Sequence, residues 1–287
     1  MVSQKLGKVA ANSRGCGRVG RAQVAQQHGS ARRLSVGEGG LWVKDRFKHD
    51  AVFSPSMLNI FKTQAISLDL DDTLWPVWPT IARAEVILQD WLALHAPQTA
   101  RLCADAEVKK RIRAEVNERH PDKAHDLSFL RHESIRQSLI SAGDAPHLAD
   151  EAFEVFFAER LNVTLYDGVD QALARLAERY PLVGLSNGNA DVFRTPAGQY
   201  FKASLSARAF GVAKPDVRIF QAAAAQLNVP VESVLHLGDD AHADVMGAIN
   251  AGMQTAWINT QGHDWPHPSA QPLTVSHLTE LCDHLLA

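Results

Sequence analysis

The stretch A-I-S-L-D-L-D-D-T-L-W-P at residues 65–76 places three carboxylates directly after a short, mostly apolar run. An apolar run of this length is typical of a buried strand, and ligands in open α/β sheets bind outside the carboxyl ends of the strands. Like charges this close repel, and hard divalent cations take carboxylate oxygens. Asp69, Asp71 and Asp72 therefore predict a metal site, with an ordinary acidic turn as the alternative.

The bulk composition excludes several classes of protein. The 287 residues suffice for one large domain or two smaller ones, and 46% hydrophobic with 21% charged residues is ordinary for a globular chain. The net charge of -3 gives no reason to expect a nucleic-acid partner. No apolar run approaches the roughly 18 residues of a membrane span, so we expect no membrane partner. Cys16, Cys103 and Cys282 form no C-x-x-C pair, which fits a cytoplasmic protein without disulfides or zinc.

The N-terminal segment has a different composition from the rest. Residues 1–37 contain seven Lys and Arg residues and no Asp or Glu, and Gly, Ser, Gln and Ala fill most of the gaps. Such a segment cannot bury enough apolar surface to fold. We expect residues 1–60 to be a disordered basic tail or a translated upstream stretch with the true start at Met57. An organelle transit peptide is the third alternative, although a clear apolar face is missing.

Four helical patterns follow Pro76 without an intervening strand. They run from about 77 to near 97, then over 101–119, 127–142 and 146–161. Helices in succession predict a small bundle inserted after the first strand. We therefore divide the chain into a helical insertion at 77–164 and a core formed by 61–76 together with 165–287.

Beyond the bundle, helices and strands alternate. The predicted strands lie at 182–185, 234–237 and 254–258, and the helices at 169–180, 217–227, 241–251 and about 275–286. This alternation predicts an α/β fold with a doubly wound, Rossmann-like parallel sheet covered by helices on both faces. Residues 261–272 are rich in His, Pro and Gly and predict a loop.

Polar residues recur where the predicted strands end. Besides the first acidic stretch, they are Ser186 and Asn187, Lys214, and Asp239 with Asp240 and Asp244. Because strand ends of a parallel sheet share one edge, these groups are expected to converge. A carboxylate can then attack phosphorus, a second can move a proton, and a cation can balance the charge on the phosphoryl group.

These residues resemble four motifs of the haloacid dehalogenase superfamily, in order and spacing. The motifs are D-L-D-D-T at 69–73, S-N at 186–187, K-P at 214–215 and G-D-D-x-x-x-D at 238–244. The resemblance extends from about residue 62 to the C-terminus. It implies a doubly wound core with a mobile cap, and the predicted helices lie where the helical cap of subfamily I is inserted.

The resemblance also implies roles for individual residues. Asp69 would be the nucleophile and a magnesium ligand, and Asp71 the general acid and base and a ligand through its backbone carbonyl. Asp239 would complete the metal site, with Asp244 supporting it directly or through water. Asp72 stands where many members have Gly, and we assign it no chemical step.

The remaining motif residues would handle the phosphate. Ser186 and Asn187 would bind its oxygens, Lys214 would orient Asp69 and the phosphoryl group, and Thr73 would brace the loop of this phosphate-binding set. The Asp71 carboxylate favours a phosphatase, because the dehalogenases of this superfamily lack it and a leaving alkoxide, unlike halide, needs a proton. A phosphomutase shares the motifs and stays open.

A narrower resemblance indicates a substrate. Segments 125–139, 180–190, 234–240 and 243–258 are similar to bacterial flavin-mononucleotide phosphatases. These enzymes also dephosphorylate 5-amino-6-(5-phosphoribitylamino)uracil in riboflavin synthesis. The resemblance implies a small phosphorylated metabolite as the partner of a monomer or homodimer. Sugar phosphates and nucleotides remain alternative substrates, and a phospho-signalling or non-catalytic binding protein remains the alternative of another class.

Several aromatic and basic residues are open to two interpretations. Trp75 and Trp78 flank the acidic loop, and we expect them to pack rather than to stack on a flat substrate ring. His236 is expected to be buried in its strand, and His242 to lie on a helix surface. In the insertion, His125, Arg131, His132 and Arg136 either face the substrate or are solvated helix residues, which is the commoner case.

Overall fold

The computed structural model describes residues 58–286. The predictions for residues 1–57, including the basic tail and the start at Met57, lie outside the described residues. Leu58 and Ile60 lie within the expected tail 1–60, but they pack against the main core. A single 3₁₀ turn at Ile60–Lys62 leads into the first strand.

Six parallel strands form the sheet, in the order β3-β2-β1-β4-β5-β6. Their bounds are β1 Ala65–Leu68, β2 Leu182–Ser186, β3 Phe201–Ser206, β4 Val234–Gly238, β5 Gln254–Ile258 and β6 Leu273–Val275. The chain leaves β1 first toward β2 and later toward β4, so β1 lies at the switch point, where α/β sheets bind ligands. The predicted doubly wound parallel sheet is confirmed.

Helices fill the long connection between β1 and the next core element. They are α1 Val77–His95, α2 Pro97–Cys103, α3 Ala106–Arg119, α4 Leu127–Ala142 and α5 Ala149–Arg160. We call Val77–Arg160 the helical insertion. It has its own apolar cluster, which includes Leu88, Leu139 and Phe156. The insertion therefore folds around a core separate from those of the sheet.

The insertion contains five α-helices where the sequence predicted four. The pattern over 101–119 divides because Pro97 starts a short helix and Asp105 caps the next one, accepting from the Glu107 N–H. The predicted end of α4 is confirmed, since Gly143 adopts φ 84° there. Helix boundaries in this region thus follow local capping chemistry more than apolar periodicity.

The core helices are α6 Val169–Arg179, α7 Ala207–Phe210, α8 Val217–Gln226, α9 Gly247–Ala251 and α10 Leu278–Leu286. Helices α6 and α10 share one apolar cluster with Ile66 and Leu68 of β1. Helices α8 and α9 share the other with Ala65, on the opposite face of the same strand. Alternate side chains of β1 thus serve two layers of helices, which explains its continuous apolar pattern.

Two strands were not predicted. Strand β3 lies at one edge of the sheet and has a mixed burial pattern, so its sequence lacks a buried-strand signature. Strand β6 has only three residues at the other edge. The predicted helix 241–251 begins with a π-helical turn, Ala241–Met246, before α9. None of the helices within residues 58–286 is long and apolar enough to span a bilayer.

Candidate active site

The polar residues predicted from the strand ends meet at the carboxyl edge of the sheet, around the ammonium of Lys214. Lys214 Nζ donates to Asp69 Oδ1 at 2.5 Å and to Asp244 Oδ1 at 2.5 Å. Asp69 follows β1, Asp244 lies in the turn after β4, and Lys214 lies between β3 and α8. All three side chains are almost completely buried. We call these residues the core cluster.

One ammonium serves two carboxylates in the core cluster. Burial raises the pKa of Asp244, but Lys214 and His236 lower it more, and the result is a pKa of about 2. Burial raises the pKa of Asp69, and the attraction of Lys214 does not offset it, so this pKa lies well above its usual range. Lys214 therefore balances one carboxylate and leaves the other without a full counter-charge.

Asp239 adds a third acidic group beside this pair. Burial first, and then the charges of Asp244 and Asp72, raise the pKa of Asp239 to about 7. Asp69, Asp239 and Asp244 each offer an oxygen, and these oxygens lie within 4.8 Å of one another. Excess negative charge on an all-oxygen donor set fits a hard divalent cation. The side chain of Asp71 does not belong to this set.

Buried neighbours hold Asp244 in place. The imidazole of His236 lies 3.1 Å from Asp244 Oδ1 through Nε2 and 2.9 Å from Ser67 Oγ through Nδ1. A Cβ on Gly238 would lie 2.2 Å from Asp244 Cγ, so this carboxylate needs a glycine at that position. Burial lowers the pKa of His236. The prediction that His236 is buried in its strand is confirmed.

Asp71 lies outside the core cluster and has its own cation. Arg160 Nη2 lies 2.7 Å from Asp71 Oδ1 and 2.6 Å from Oδ2, and Trp75 Nε1 donates to Oδ1 at 2.8 Å. Arg160 is 1% exposed, and its Nη1 is buried without a hydrogen-bond partner among the described residues. Because Arg160 ends α5, this contact joins the insertion to the core loop. We call Asp71 and Arg160 the junction pair.

Arg160 was missed from the sequence, although a signal was present. The buried residues of α5 are Ala149, Ala152, Phe156 and Arg160, which lie three or four positions apart on one face. An arginine that continues an apolar face needs a buried acidic partner. The partner itself lies 89 residues away and could not be read from local spacing.

The loops that follow β2 and precede α8 support each other. The Asn187 side chain donates to the Lys214 carbonyl at 2.9 Å and accepts from the Lys214 N–H at 2.7 Å. Buried Ser186 accepts from the Gly188 N–H at 2.9 Å. The Asn187 side chain therefore holds the Lys214 backbone, and phosphate binding by Ser186 and Asn187 stays a prediction.

The loop after β1 is braced from two sides. Thr73 Oγ1 donates to Asp239 Oδ1 at 3.3 Å, which ties this loop to the loop after β4. Asp72 adopts a left-handed φ of 58°, and its Oδ1 accepts from the Val77 N–H at 2.9 Å at the start of α1. Asp72 thus has a local structural contact.

The structure agrees with the predictions for two of the surrounding aromatic and histidine residues and contradicts the third. Trp75 is completely buried, as its predicted packing role requires. For Trp78 that prediction is wrong, because its side chain is 74% exposed. His242 is exposed at the start of the π-helical turn, and its predicted place on a helix surface is confirmed.

The basic residues of the insertion differ in where their side chains lie. Arg136 pairs with Glu133 at 2.6 Å on its own helix, and His132 lies 2.7 Å from Asp150 on α5. His125 is half-buried just before α4. Arg131 differs from Arg136, because it is largely buried and pairs with Glu85 of α1. Only Arg131 among these therefore points into the interior of the insertion as a paired charge.

Comparison with known proteins shows which family the chain resembles. The model of the haloacid dehalogenase-like hydrolases matches residues 63–252. A 5-amino-6-(5-phospho-D-ribitylamino)uracil phosphatase, YigB of Escherichia coli, is 34% identical over 228 residues, covering 77% of this chain and 95% of that protein. A phosphoserine phosphatase of Thermus thermophilus is 35% identical over 159 residues, covering 53% of this chain and 64% of that protein.

Among solved structures, a 2-haloacid dehalogenase from Pseudomonas syringae superposes with a TM-score of 0.73 at 35% identity. The match covers 78% of this chain and 98% of that one. The family match includes every predicted motif residue and the whole helical insertion. The chain belongs to the haloacid dehalogenase-like hydrolase family.

Proposed function

We propose that the chain is a magnesium-dependent phosphatase that hydrolyses a small phosphorylated metabolite through an aspartyl-phosphate on Asp69. One observation carries the proposal. Two carboxylates two residues apart, Asp69 and Asp71, have separate cations, Lys214 and Arg160. Carboxylates in different charge environments can take different roles in one reaction. The division places Asp69 in the metal donor set and keeps Asp71 apart from it as the second carboxylate of the reaction.

The proposed reaction has two steps. A carboxylate oxygen of Asp69 attacks phosphorus, the bond to the ester oxygen breaks, and Asp71 gives its proton to the leaving alkoxide. Asp71 then takes a proton from water, which attacks the phosphoryl group and releases Asp69 and inorganic phosphate. Lys214, Ser186 and the neighbouring backbone amides would balance charge on the phosphoryl oxygens.

Asp69 and Asp239 would hold the magnesium ion, with the Asp71 carbonyl as a further ligand. Asp244 is already engaged by Lys214 and His236, so it would support the ion through an intervening water. The fit rests on the donor set, because oxygens of Asp69, Asp239 and Asp244 lie within 4.8 Å of one another beside the single ammonium of Lys214. When bound, the ion neutralises charge on the phosphate and on the attacking carboxylate.

For the substrate, we propose 5-amino-6-(5-phospho-D-ribitylamino)uracil, which would place the enzyme in riboflavin metabolism. The support is the YigB relative, whose match extends over 95% of its length and so includes the insertion. Flavin mononucleotide, sugar phosphates and nucleotides are the competing substrates. The helical region 77–164 would act as a cap over the sheet edge, in a cytoplasmic monomer or homodimer.

Haloacid dehalogenation is the second candidate, because a 2-haloacid dehalogenase is among the similar structures. Asp71 argues against it, since a departing halide requires no proton donor. Chloride release from 2-chloropropionate, measured beside phosphate release from p-nitrophenyl phosphate, separates the two. Chloride release without phosphate release would replace the proposed function with the second candidate.

Asp69→Asn tests the mechanism. We expect phosphate release from p-nitrophenyl phosphate with Mg²⁺ to fall by about 10³-fold or more, because an amide cannot act as the nucleophile. Asp72→Asn is the matched control, since it removes an equal charge from the same loop and keeps the oxygen that caps Val77. Asn also tolerates the left-handed backbone. Substantial turnover by Asp69→Asn would refute the aspartyl-phosphate.

A further inference from the structure

A cavity of about 200 Å³ lies where the helical insertion meets the loop after β2. Asn189 lines it from the core side, three residues beyond Ser186. Phe156 lines it from the insertion side, one helical turn before Arg160. Arg160 contacts Asp71, so both lining residues lie within four positions of a side chain at the candidate catalytic edge. A molecule whose phosphate lies at Asp69 would extend toward this space.

Hydrogen-bond donors dominate the polar part of the cavity wall. Arg113, Asn117, Arg131 and Asn189 line it, and no acidic residue is among the lining residues. The guanidinium of Arg131 lies 4.3 Å from the centre of the Phe156 ring, which fixes its plane. Within residues 58–286 its only hydrogen bond goes to Glu85, through Nη1, so other N–H groups remain to donate.

The charge near this wall is not balanced. Arg113, Arg131 and Lys109 all pair with the single carboxylate of Glu85. Burial raises the pKa of Glu85, but the three cations lower it more, so the carboxyl stays ionised. One negative charge against three positive ones leaves a positive excess. Such an excess in a partly buried site attracts oxygen acceptors of a ligand.

Apart from Ser134, apolar side chains form the rest of the wall. Ile81 of α1, Leu130 of α4 and Phe156 of α5 line the cavity beside the donors. A second phosphate would lose its hydration against these groups at a high cost. A flat ring can contact the apolar groups with its faces and accept hydrogen bonds at its rim. The cavity volume suits one small ring rather than a macromolecular partner.

We infer that this cavity binds a planar, carbonyl-bearing ring of the substrate, at the end away from the phosphate. Arg131 and Arg113 would donate to its carbonyl oxygens, and Asn117 would lie at the entrance. The inference rests on the proposed phosphatase function. It makes Arg131 and Asn117 determinants of specificity. For Arg131, the sequence pattern left the role open between substrate contact and a solvated helix charge.

The test compares two substrates that share one phosphorylated chain. They are 5-amino-6-(5-phospho-D-ribitylamino)uracil and ribitol 5-phosphate, which lacks the ring. For the wild-type enzyme with Mg²⁺ we expect kcat/KM to be at least tenfold higher with the ring. A ratio near one with active enzyme would overturn the inference. Absence of phosphate release from both and from p-nitrophenyl phosphate would instead refute the proposed function.

Two variants locate the effect in the cavity. Arg131→Met should lower that substrate ratio about tenfold or more, mainly through KM, because it removes donors and keeps side-chain length. Asn117→Ala should lower it severalfold, and since Asn117 is exposed this variant is not expected to affect folding. Arg136→Met is the matched control on the same helix, paired with Glu133 and outside the cavity. If the ratio of kcat/KM for the two substrates were the same in Arg131→Met, Asn117→Ala and Arg136→Met, the inference would be overturned.

Discussion

The core cluster and the junction pair each contain a buried basic side chain paired with a carboxylate, but different parts of the fold supply the residues. Asp69 follows β1, Asp244 lies in the turn after β4, and Lys214 lies in the loop before α8, so elements of the sheet core hold all three. Arg160 reaches Asp71 from the last helix of the insertion. The position of the proposed nucleophile therefore depends on the core alone. The position of the proposed acid and base depends on how the insertion is seated.

The two regions also differ in charge balance. Lys214 is shared between Asp69 and Asp244, while Asp239 has no cation within the described contacts and a pKa raised to about 7. Among residues 58–286, Arg160 pairs with Asp71 alone. The core cluster and Asp239 together have more negative charge than Lys214 balances, whereas the junction pair has one cation for one carboxylate. Substitutions in the two regions should therefore fail in different ways.

The largest effect is expected when the core cluster loses its only cation. Lys214→Met leaves two buried carboxylates without their shared cation, which should lower the free energy of unfolding by about 4 kcal/mol. It should also lower kcat by about 10³-fold, because the charge that balances the phosphoryl group is gone. Urea unfolding and phosphate release measure these two quantities.

Adding Mg²⁺ separates stability from activity in Lys214→Met. The ion should restore part of the stability, since it supplies positive charge beside Asp69 and Asp239, but it should not restore kcat. Full recovery of activity with Mg²⁺ would show that Lys214 acts only as a structural counter-charge. If Mg²⁺ left the unfolding midpoint of Lys214→Met unchanged, this result would contradict the charge balance described above.

Removing the cation of the junction pair should cost less. Arg160→Met leaves only one carboxylate, that of Asp71, without its cation. The hydrogen bond from Trp75 to Asp71 stays in place. We expect a loss of about 3 kcal/mol in unfolding free energy and of about 100-fold in kcat, within the range of one proton-transfer group. The loss should be larger for an alkyl phosphate than for p-nitrophenyl phosphate, whose leaving group needs less protonation.

Two controls accompany Arg160→Met. Arg160→Lys keeps the charge and should recover part of kcat. Arg175→Met removes the exposed partner of Asp283 on the core surface and should leave both stability and kcat as they were. Equal losses for alkyl and aryl phosphates in Arg160→Met would mean that the arginine only stabilises the fold and does not position Asp71.

The same contrast explains how far the sequence predicted the site. Asp69, Ser186, Lys214 and Asp239 follow strand ends or precede a helix, and parallel strands bring such positions to one edge. Local pattern and topology were therefore enough to bring them together. Arg160 depends on the packing of the insertion against the core, and no local pattern encodes that contact.

Secondary structure follows the same rule. The buried central strands were predicted because both faces are apolar, whereas β3 and β6 lie at the edges and lack that pattern. The π-helical turn at Ala241–Met246 was also missed, because its apolar spacing resembles that of an α-helix. Edge pairing and local helix geometry are set by tertiary contacts rather than by periodicity.

A glycine beside the junction pair offers a smaller perturbation. A Cβ on Gly188 would lie 2.2 Å from Asp71 Oδ2 and 3.1 Å from Ser186 Oγ. Gly188→Ala must therefore displace the Asp71 carboxylate while both charges of the pair remain. We expect kcat to fall about tenfold with little change in metal affinity, since small misplacements of a reacting group reduce rate.

Gly211→Ala serves as the control for Gly188→Ala. Gly211 has φ 91° with nothing within 4 Å of an added Cβ, so alanine there strains the backbone without touching the site. It should cost about 1 kcal/mol in stability and leave kcat unchanged. If Gly188→Ala kept full activity, the close packing of the β2 loop against Asp71 would not matter for the reaction.

The smallest expected effect is the pH dependence of Mg²⁺ binding, which distinguishes the core cluster from the junction pair. With its pKa raised to about 7, chiefly by burial and next by Asp244, Asp239 carries a proton in the metal-free protein below that pH. A cation must displace this proton, so Mg²⁺ affinity should rise up to about tenfold per pH unit below about 7 and level off above it. Calorimetric titration between about pH 5.5 and 8 measures this dependence. Asp239→Asn should weaken binding and leave only the part of the dependence that comes from Asp69, whose pKa is also raised. Arg160→Met should retain the full dependence, because the junction pair lies outside the metal donor set. An affinity that is flat across this pH range would contradict the raised pKa of Asp239, and a lost dependence in Arg160→Met would show that the two regions are coupled.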